Sequence, residues 1–160
     1  MRTAVHVVLI LCLICVSVQA QSNVDFGIKG GLNFTFFKVE ASGFGFTQDT
    51  ASGYYGGAFL DFEIDEDYAL QPELLFISLK DFKFLNVPVY LKYEVANKLH
   101  LLVGPSINYF FDFFSNKLKI RADLSSSYNV TSRIDIHVKY AIGFEELTPN
   151  SLFLGVGFRI

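Results

Sequence analysis

The chain is poor in charge, and past its first fifteen residues it has no cysteine. Only 18% of its 160 residues are Asp, Glu, Lys or Arg, against about 25% in an ordinary soluble domain. Tryptophan is absent, methionine occurs once and proline four times. Two cysteines, Cys12 and Cys15, are too few for a disulfide scaffold. A formal net charge of −3 offers no basic footprint, which argues against a nucleic-acid partner. Long hydrophobic runs are also missing beyond residue 20. The longest uncharged stretch of the second half, Leu99–Phe111, is interrupted by His100, Gly104, Pro105, Ser106 and Asn108, so it is no transmembrane helix.

What is abundant is apolar and aromatic. Hydrophobic residues make up 51%, with 18 Phe and 8 Tyr, and the mean hydropathy is +0.36. That composition excludes intrinsic disorder. The length fits one domain. The first twenty residues, MRTAVHVVLILCLICVSVQA, carry Arg2, an apolar run of ten from Val7 to Val16, and a small-x-Ala end at Val18-Gln19-Ala20. This is the pattern of a cleavable secretory signal peptide, and the run is too short to span a bilayer as a helix. The expected division is a signal peptide over 1–20 and one domain over 21–160. The mature chain then holds no cysteine, with 12 basic against 16 acidic residues.

Apolar and polar residues alternate with period two through the mature chain, the mark of half-buried strands. Eight strands are expected. The first runs Val24–Phe37, the second Tyr54–Ile64, the third Tyr68–Ser78, the fourth Phe84–Val95 and the fifth Leu99–Phe113. The last three are centred on the alternations Lys119–Tyr128, Arg133–Ile142 and Leu152–Ile160. Pro72, Pro88 and Pro105 fall inside this pattern, although proline removes a ladder hydrogen bond. Short polar connections at Asp65–Asp67, Ala96–Lys98 and Val130–Ser132 alternate with longer ones, of which Lys38–Gly53 is rich in Gly, Ser and Thr.

An even number of short alternating strands fits a transmembrane β-barrel. It also fits a soluble exported, lipocalin-like barrel that binds an apolar ligand. Residue size favours the membrane. The polar face holds most of the small residues, Gly27, Gly31, Gly104, Ala141, Gly143, Gly155 and Gly157 among them, and the other face is mainly Leu, Ile, Val, Phe and Tyr. An eight-stranded barrel has an interior just wide enough for side chains, so small residues belong inside and large apolar ones against lipid. Tyr68, Tyr93, Tyr128 and Phe158 are expected near the short-turn rim, and Phe36, Tyr54, Tyr109, Phe111 and Phe144 near the other, as two aromatic girdles.

The face expected to line the lumen carries seven cations, Lys29, Lys92, Lys119, Arg121, Arg133, Lys139 and Arg159. It also carries seven anions, Asp25, Asp61, Glu63, Glu73, Glu94, Asp123 and Asp135. Matched signs suggest cross-strand ion pairs that fill the lumen, where a selective pore would show a ring of one sign. No chemistry stands out beside them. His100 and His137 have no His or Cys at metal-ligand spacing. Ser106, His137 and Asp135 are a nominal triad, but a triad is defined by geometry. Gly30-Gly31 and Gly56-Gly57 precede no helix and are not phosphate loops.

Several segments are similar to the outer-membrane β-barrel (porin-like) domain common in Bacteroidetes, a family that includes PorT-like proteins linked to secretion and gliding. Phe26-Gly27-Ile28-Lys29-Gly30-Gly31-Leu32-Asn33 resembles its opening strand. Leu70-Gln71-Pro72-Glu73-Leu74-Leu75-Phe76 resembles its second hairpin, and Phe84 to Tyr93 with Gly104-Pro105 the strands that follow. Leu154-Gly155-Val156-Gly157-Phe158-Arg159 resembles its closing strand. The resemblance implies a fold and a location, and supplies no catalytic residues.

The expectation is therefore an all-β, eight-stranded antiparallel up-and-down transmembrane barrel in the outer membrane. It would be non-enzymatic, its lumen plugged by ion pairs, with a structural, adhesive or small-solute role, no cofactor and no metal. Its partners would be outer-membrane lipid and, through the segment 38–53, an extracellular or secretion-system protein; the barrel itself would be a monomer. An accessory of a secretion system and a lipid-modifying barrel enzyme are the lesser readings.

Overall fold

In a computed structural model of the chain, the structure describes residues 24–40, 46–80, 82–111, 117–144 and 148–160. The expected signal peptide lies outside the described residues. The strands are β1 (Val24–Glu40), β2 (Phe46–Glu63), β3 (Tyr68–Leu79), β4 (Lys83–Ala96), β5 (Leu99–Phe110), β6 (Leu118–Asn129), β7 (Ile134–Gly143) and β8 (Asn150–Arg159). Each pairs antiparallel with the next, and β8 returns to β1, closing the barrel. Closure gives every strand two neighbours, so no sheet edge is left within the bilayer, where an unpaired backbone group is costly.

The alternation predicts the faces correctly. Ile28, Leu74, Val103, Ile120, Ile136, Val138 and Val156 point outward and are exposed. Asn33, Asn86, Asn108, Arg121 and Asp123 point inward and are buried. A continuous apolar exterior far exceeds the patches that soluble monomers show. The barrel is therefore inside out relative to a soluble lipocalin-like one, and that alternative fails. At the short-turn rim, Tyr68 pairs with Tyr93, their rings 4.9 Å apart, and Tyr128 and Phe158 stand exposed at the same level. Near the other rim Tyr54, Tyr109, Phe111 and Phe144 are exposed, whereas Phe36 is only partly so.

Two sequence expectations need correction. The segment 38–53 is not mainly a loop. Pairing of β1 with β2 continues through Val39↔Thr47 to Glu40↔Phe46, while β8 stops at Phe36↔Asn150 and β3 begins at Gly53↔Leu79. A two-stranded hairpin thus projects past its neighbours; Phe44, one of its two aromatics, lies outside the described residues. The fifth strand ends at Phe110, and its expected end at Phe113 lies outside the described residues.

The prolines are accommodated by local gaps in the ladder with no slip of register. The β2–β3 pairing skips Gln71 and Pro72, the β3–β4 pairing skips Val87 and Pro88, and the β4–β5 pairing skips Gly104 and Pro105. Each gap faces the preceding strand, as expected where a missing N–H cannot donate. At the β4–β5 turn, Lys98 has a φ of 73°, the left-handed position that glycine usually fills in such turns.

Candidate functional site in the barrel lumen

Inward-facing side chains divide the lumen into levels. Nearest the short turns, Lys92 bonds Asp61, and Arg159 Nη2 lies 3.9 Å from the same carboxylate. His100 Nε2 is 3.6 Å from Glu94. Asp25, Glu63 and Arg133, expected in the lumenal network, are exposed at this rim and make no ion pair among the described residues. They occupy strand ends, where the lumen opens to water, and β7 begins only after Arg133.

The middle level is a set of contacts that cross the lumen. Lys29 Nζ on β1 bonds Glu73 on β3 at 2.5 Å, with Gln71 donating to the same carboxylate at 2.7 Å. Tyr55 on β2 meets His137 Nε2 on β7 at 2.6 Å, and His137 Nδ1 is 3.0 Å from Asp135. Lys139 donates to Asn86 Oδ1 at 2.7 Å, lies 3.6 Å from Asp123, and sits 4.1 Å above the Phe153 ring. Asp123 also accepts from Ser106 at 2.7 Å and from Tyr90 at 3.1 Å. Such bonds offset the desolvation that buried charges suffer.

Arg121 departs from the pairing expected of it. It is fully buried, yet no carboxylate is in ion-pair contact with its guanidinium among the described residues. It donates to Ser151 Oγ at 2.8 Å, to the Pro149 carbonyl at 3.1 Å and to Asn108 Oδ1 at 2.6 Å. The Phe84 and Phe110 rings flank it, with centroids 5.2 and 5.8 Å away. Neutral acceptors and aromatic faces thus hold this cation. Lys119 is buried on the same lumenal face.

The level toward the hairpin was not expected at all. Leu75, Ile77, Phe84, Phe110 and Phe153 have no exposure and form an apolar cluster with Phe37, Tyr55, Leu79, Phe82 and Ala141. Phe84 stacks on Phe110 at 4.6 Å, and Phe37 meets Phe82 edge-on at 4.7 Å. The signal was present in the sequence as Leu74-Leu75-Phe76-Ile77, an apolar run too continuous for a one-sided strand. The nominal triad does not assemble. His137 and Asp135 are neighbours, but Ser106 bonds Asp123 and Tyr55 takes the place at His137. Among the described residues no group of His, Cys, Asp and Glu is arranged to hold a metal.

Known proteins match this geometry at the level of the whole barrel. A de novo designed transmembrane β-barrel superposes with a TM-score of 0.60 at 16% identity, covering 88% of this chain and 98% of its own. Ail, the attachment invasion locus protein of Yersinia pestis, gives 0.57 at 13% identity, over 86% and 99%. Neisserial surface protein A gives 0.54 at 17% identity, over 84% and 96%. At these identities the likeness is one of fold. No curated protein matches the chain. The family profile of the outer membrane protein beta-barrel domain matches residues 8–160. With its closed eight-stranded barrel and apolar exterior, the chain belongs to the outer membrane protein beta-barrel domain family and is an outer-membrane protein.

Proposed function

We propose that the protein is a non-enzymatic outer-membrane barrel with a closed lumen, whose role is structural or adhesive and is exerted by the projecting β1–β2 hairpin. The observation that carries this reading is the layer of Leu75, Ile77, Phe84, Phe110 and Phe153, buried completely inside the barrel. Protein interiors pack without water-sized gaps, so such a layer leaves no path for a solute. The cross-lumen bonds Tyr55–His137 and Lys139–Asn86 tie opposite walls below it. A closed lumen moves function to the surface, where the hairpin stands past β8 and β3. Ail, a neighbour in fold, is by its name an attachment protein, so this scaffold carries adhesion elsewhere. Ser106, engaged by Asp123, is not placed as a nucleophile.

The test uses two assays on one pair of proteins. Wild type is compared with a variant in which residues 38–48 are replaced by a tight Asn-Gly turn that joins the paired Phe37 and Asp49. Liposomes holding either protein should not swell in small sugars. Cells displaying the variant should lose attachment to a host-cell or matrix layer that wild type retains. Swelling with wild type, or undiminished attachment with the variant, would overturn the proposal.

A further inference from the structure

On the rim away from the short turns, the ends of β3 to β6 carry three exposed lysines, Lys80, Lys83 and Lys117. Lys80 stands in the β3–β4 turn, which the Leu79 amide closes by donating to the Phe82 carbonyl. Lys83 opens β4 opposite Ser78, and its carbonyl accepts from the Phe111 amide of the next strand. The Lys117 carbonyl in turn accepts from the Phe110 amide. None of the three lysines makes an ion pair among the described residues. The described residues of this face, 76–80, 82–86, 107–111 and 117–120, hold no Asp or Glu, and Asp81 and Asp112 lie outside the described residues.

Charge alone would describe only a solvated rim. Beneath the lysines, however, lies an exposed aromatic layer. Phe111 meets Tyr109 edge-on at 5.5 Å and lies 6.3 Å from Phe76, and all three rings are exposed. The register sets Phe76, Leu85, Tyr109 and Leu118 in one row across four strands. Lys83 follows Leu85 on the same outward face, two residues nearer the rim. Exposed aromatic rings mark the height at which a barrel passes from hydrocarbon to headgroups. The lysines therefore stand level with the headgroups. The opposite rim differs in sign, its β2–β3 turn being Asp65-Glu66-Asp67.

We propose that this face binds an outer-leaflet lipid through phosphate on its headgroup. Lys80, Lys83 and Lys117 supply the cations, and the acyl chains lie along the row below. Two strand spacings, about 10 Å, separate β4 from β6, a gap that two lysine side chains can close on one phosphate. Lysine suits phosphate as a mobile point charge. Short turns face the periplasm in outer-membrane barrels, so this rim meets the outer leaflet. The aromatic layer selects a lipid over free phosphate, which has no apolar part to lay on it. The site lies on β3 to β6 and is separate from the projecting hairpin.

The refolded barrel in neutral-detergent micelles is titrated with diphosphorylated lipid A, with its dephosphorylated form and with inorganic pyrophosphate. Bound ligand is counted by native mass spectrometry in about 150 mM ammonium acetate, which suppresses diffuse attraction. Saturable retention of the phosphorylated lipid is expected, tighter than that of the other two. Lys83→Gln/Lys117→Gln should weaken it about 25-fold, because each lysine at an anionic lipid surface contributes about fivefold. Lys98→Gln/Arg133→Gln removes the same charge at the other rim and should leave retention unchanged. All four positions are exposed, so both variants keep the fold. No saturable retention, equal retention of the two lipids, pyrophosphate bound as tightly as the lipid, or equal weakening by the two variants would overturn the proposal.

Discussion

The Tyr55 hydroxyl and His137 Nε2 lie 2.6 Å apart, joining β2 to β7 over the intervening β1 and β8. Asp135, an acceptor only when ionised, fixes His137 Nδ1 as the donor of their 3.0 Å bond. In the neutral ring Nε2 then accepts from Tyr55. The bond exists because β8 carries glycine where it passes. A Cβ at Gly155 would collide with the Tyr55 hydroxyl, and one at Gly157 with the Asp135 carboxylate.

Gly155→Ala should therefore destabilise the barrel by about 1–3 kcal/mol, the usual cost of overpacking. Gly56→Ala is the control, because its Cβ would meet nothing nearer than 3.9 Å; it should be neutral or slightly stabilising. Urea unfolding in lipid vesicles measures both. Equal losses would show that the crowding at Gly155 is not real.

The two faces of β7 should respond differently to substitution. Val138 is exposed to lipid and His137 is buried beside it. Val138→Arg should cost about 2–4 kcal/mol near the midplane. His137→Asn removes the partner of both Tyr55 and Asp135 and should cost about 1–3 kcal/mol. The charge-neutral Val138→Leu should cost under about 1.5 kcal/mol. A tolerated Val138→Arg, read from the same unfolding curves, would invert the assignment of faces.

Buried cations should differ according to what holds them. Glu73→Ala strands Lys29 without its carboxylate and should cost about 3–5 kcal/mol. Among the described residues Arg121 is bonded to neutral acceptors and flanked by two rings. Arg121→Met, which keeps volume and removes a buried charge, should therefore be less damaging than Arg121→Ala, which also opens a cavity. Unfolding midpoints at fixed slope decide the order, and Arg121→Met at least as damaging as Arg121→Ala would refute it.

Lys98 offers a stabilising change. Its φ of 73° costs a side-chain-bearing residue about 1 kcal/mol that glycine avoids. Lys98→Gly should raise the unfolding midpoint; a lowered midpoint would mean that the Lys98 side chain contributes more than its backbone loses.

The strands and faces were legible because alternation reports orientation directly. Height in the lumen was not, because periodicity carries no register. Asp25, Glu63 and Arg133 share the face of Lys29 and Glu73 but end in water at the rim. Arg121 was read as an ion-pair member, and the register instead places Asn108, Ser151 and two phenylalanines around it. Tyr55 was missed as the partner of His137 because alternation puts it on the inward face with Phe59 and Asp61 but does not say what it meets across the lumen. The hairpin was read as a loop from its Gly and Ser, although Val39 and Thr47, both good strand formers, pair within it.

Protease treatment of intact cells tests orientation. Cleavage is expected within 38–53 and not at Asp65–Asp67, since short turns face the periplasm. The reverse pattern would put the short turns outside the cell.

The most direct test of the closed lumen is the conductance of the purified wild-type protein in a planar lipid bilayer. A barrel blocked by Leu75, Ile77, Phe84, Phe110 and Phe153 gives no steady current at either polarity, even at a protein density that saturates insertion. A stable open channel of ordinary porin size would contradict closure and return solute diffusion to this barrel.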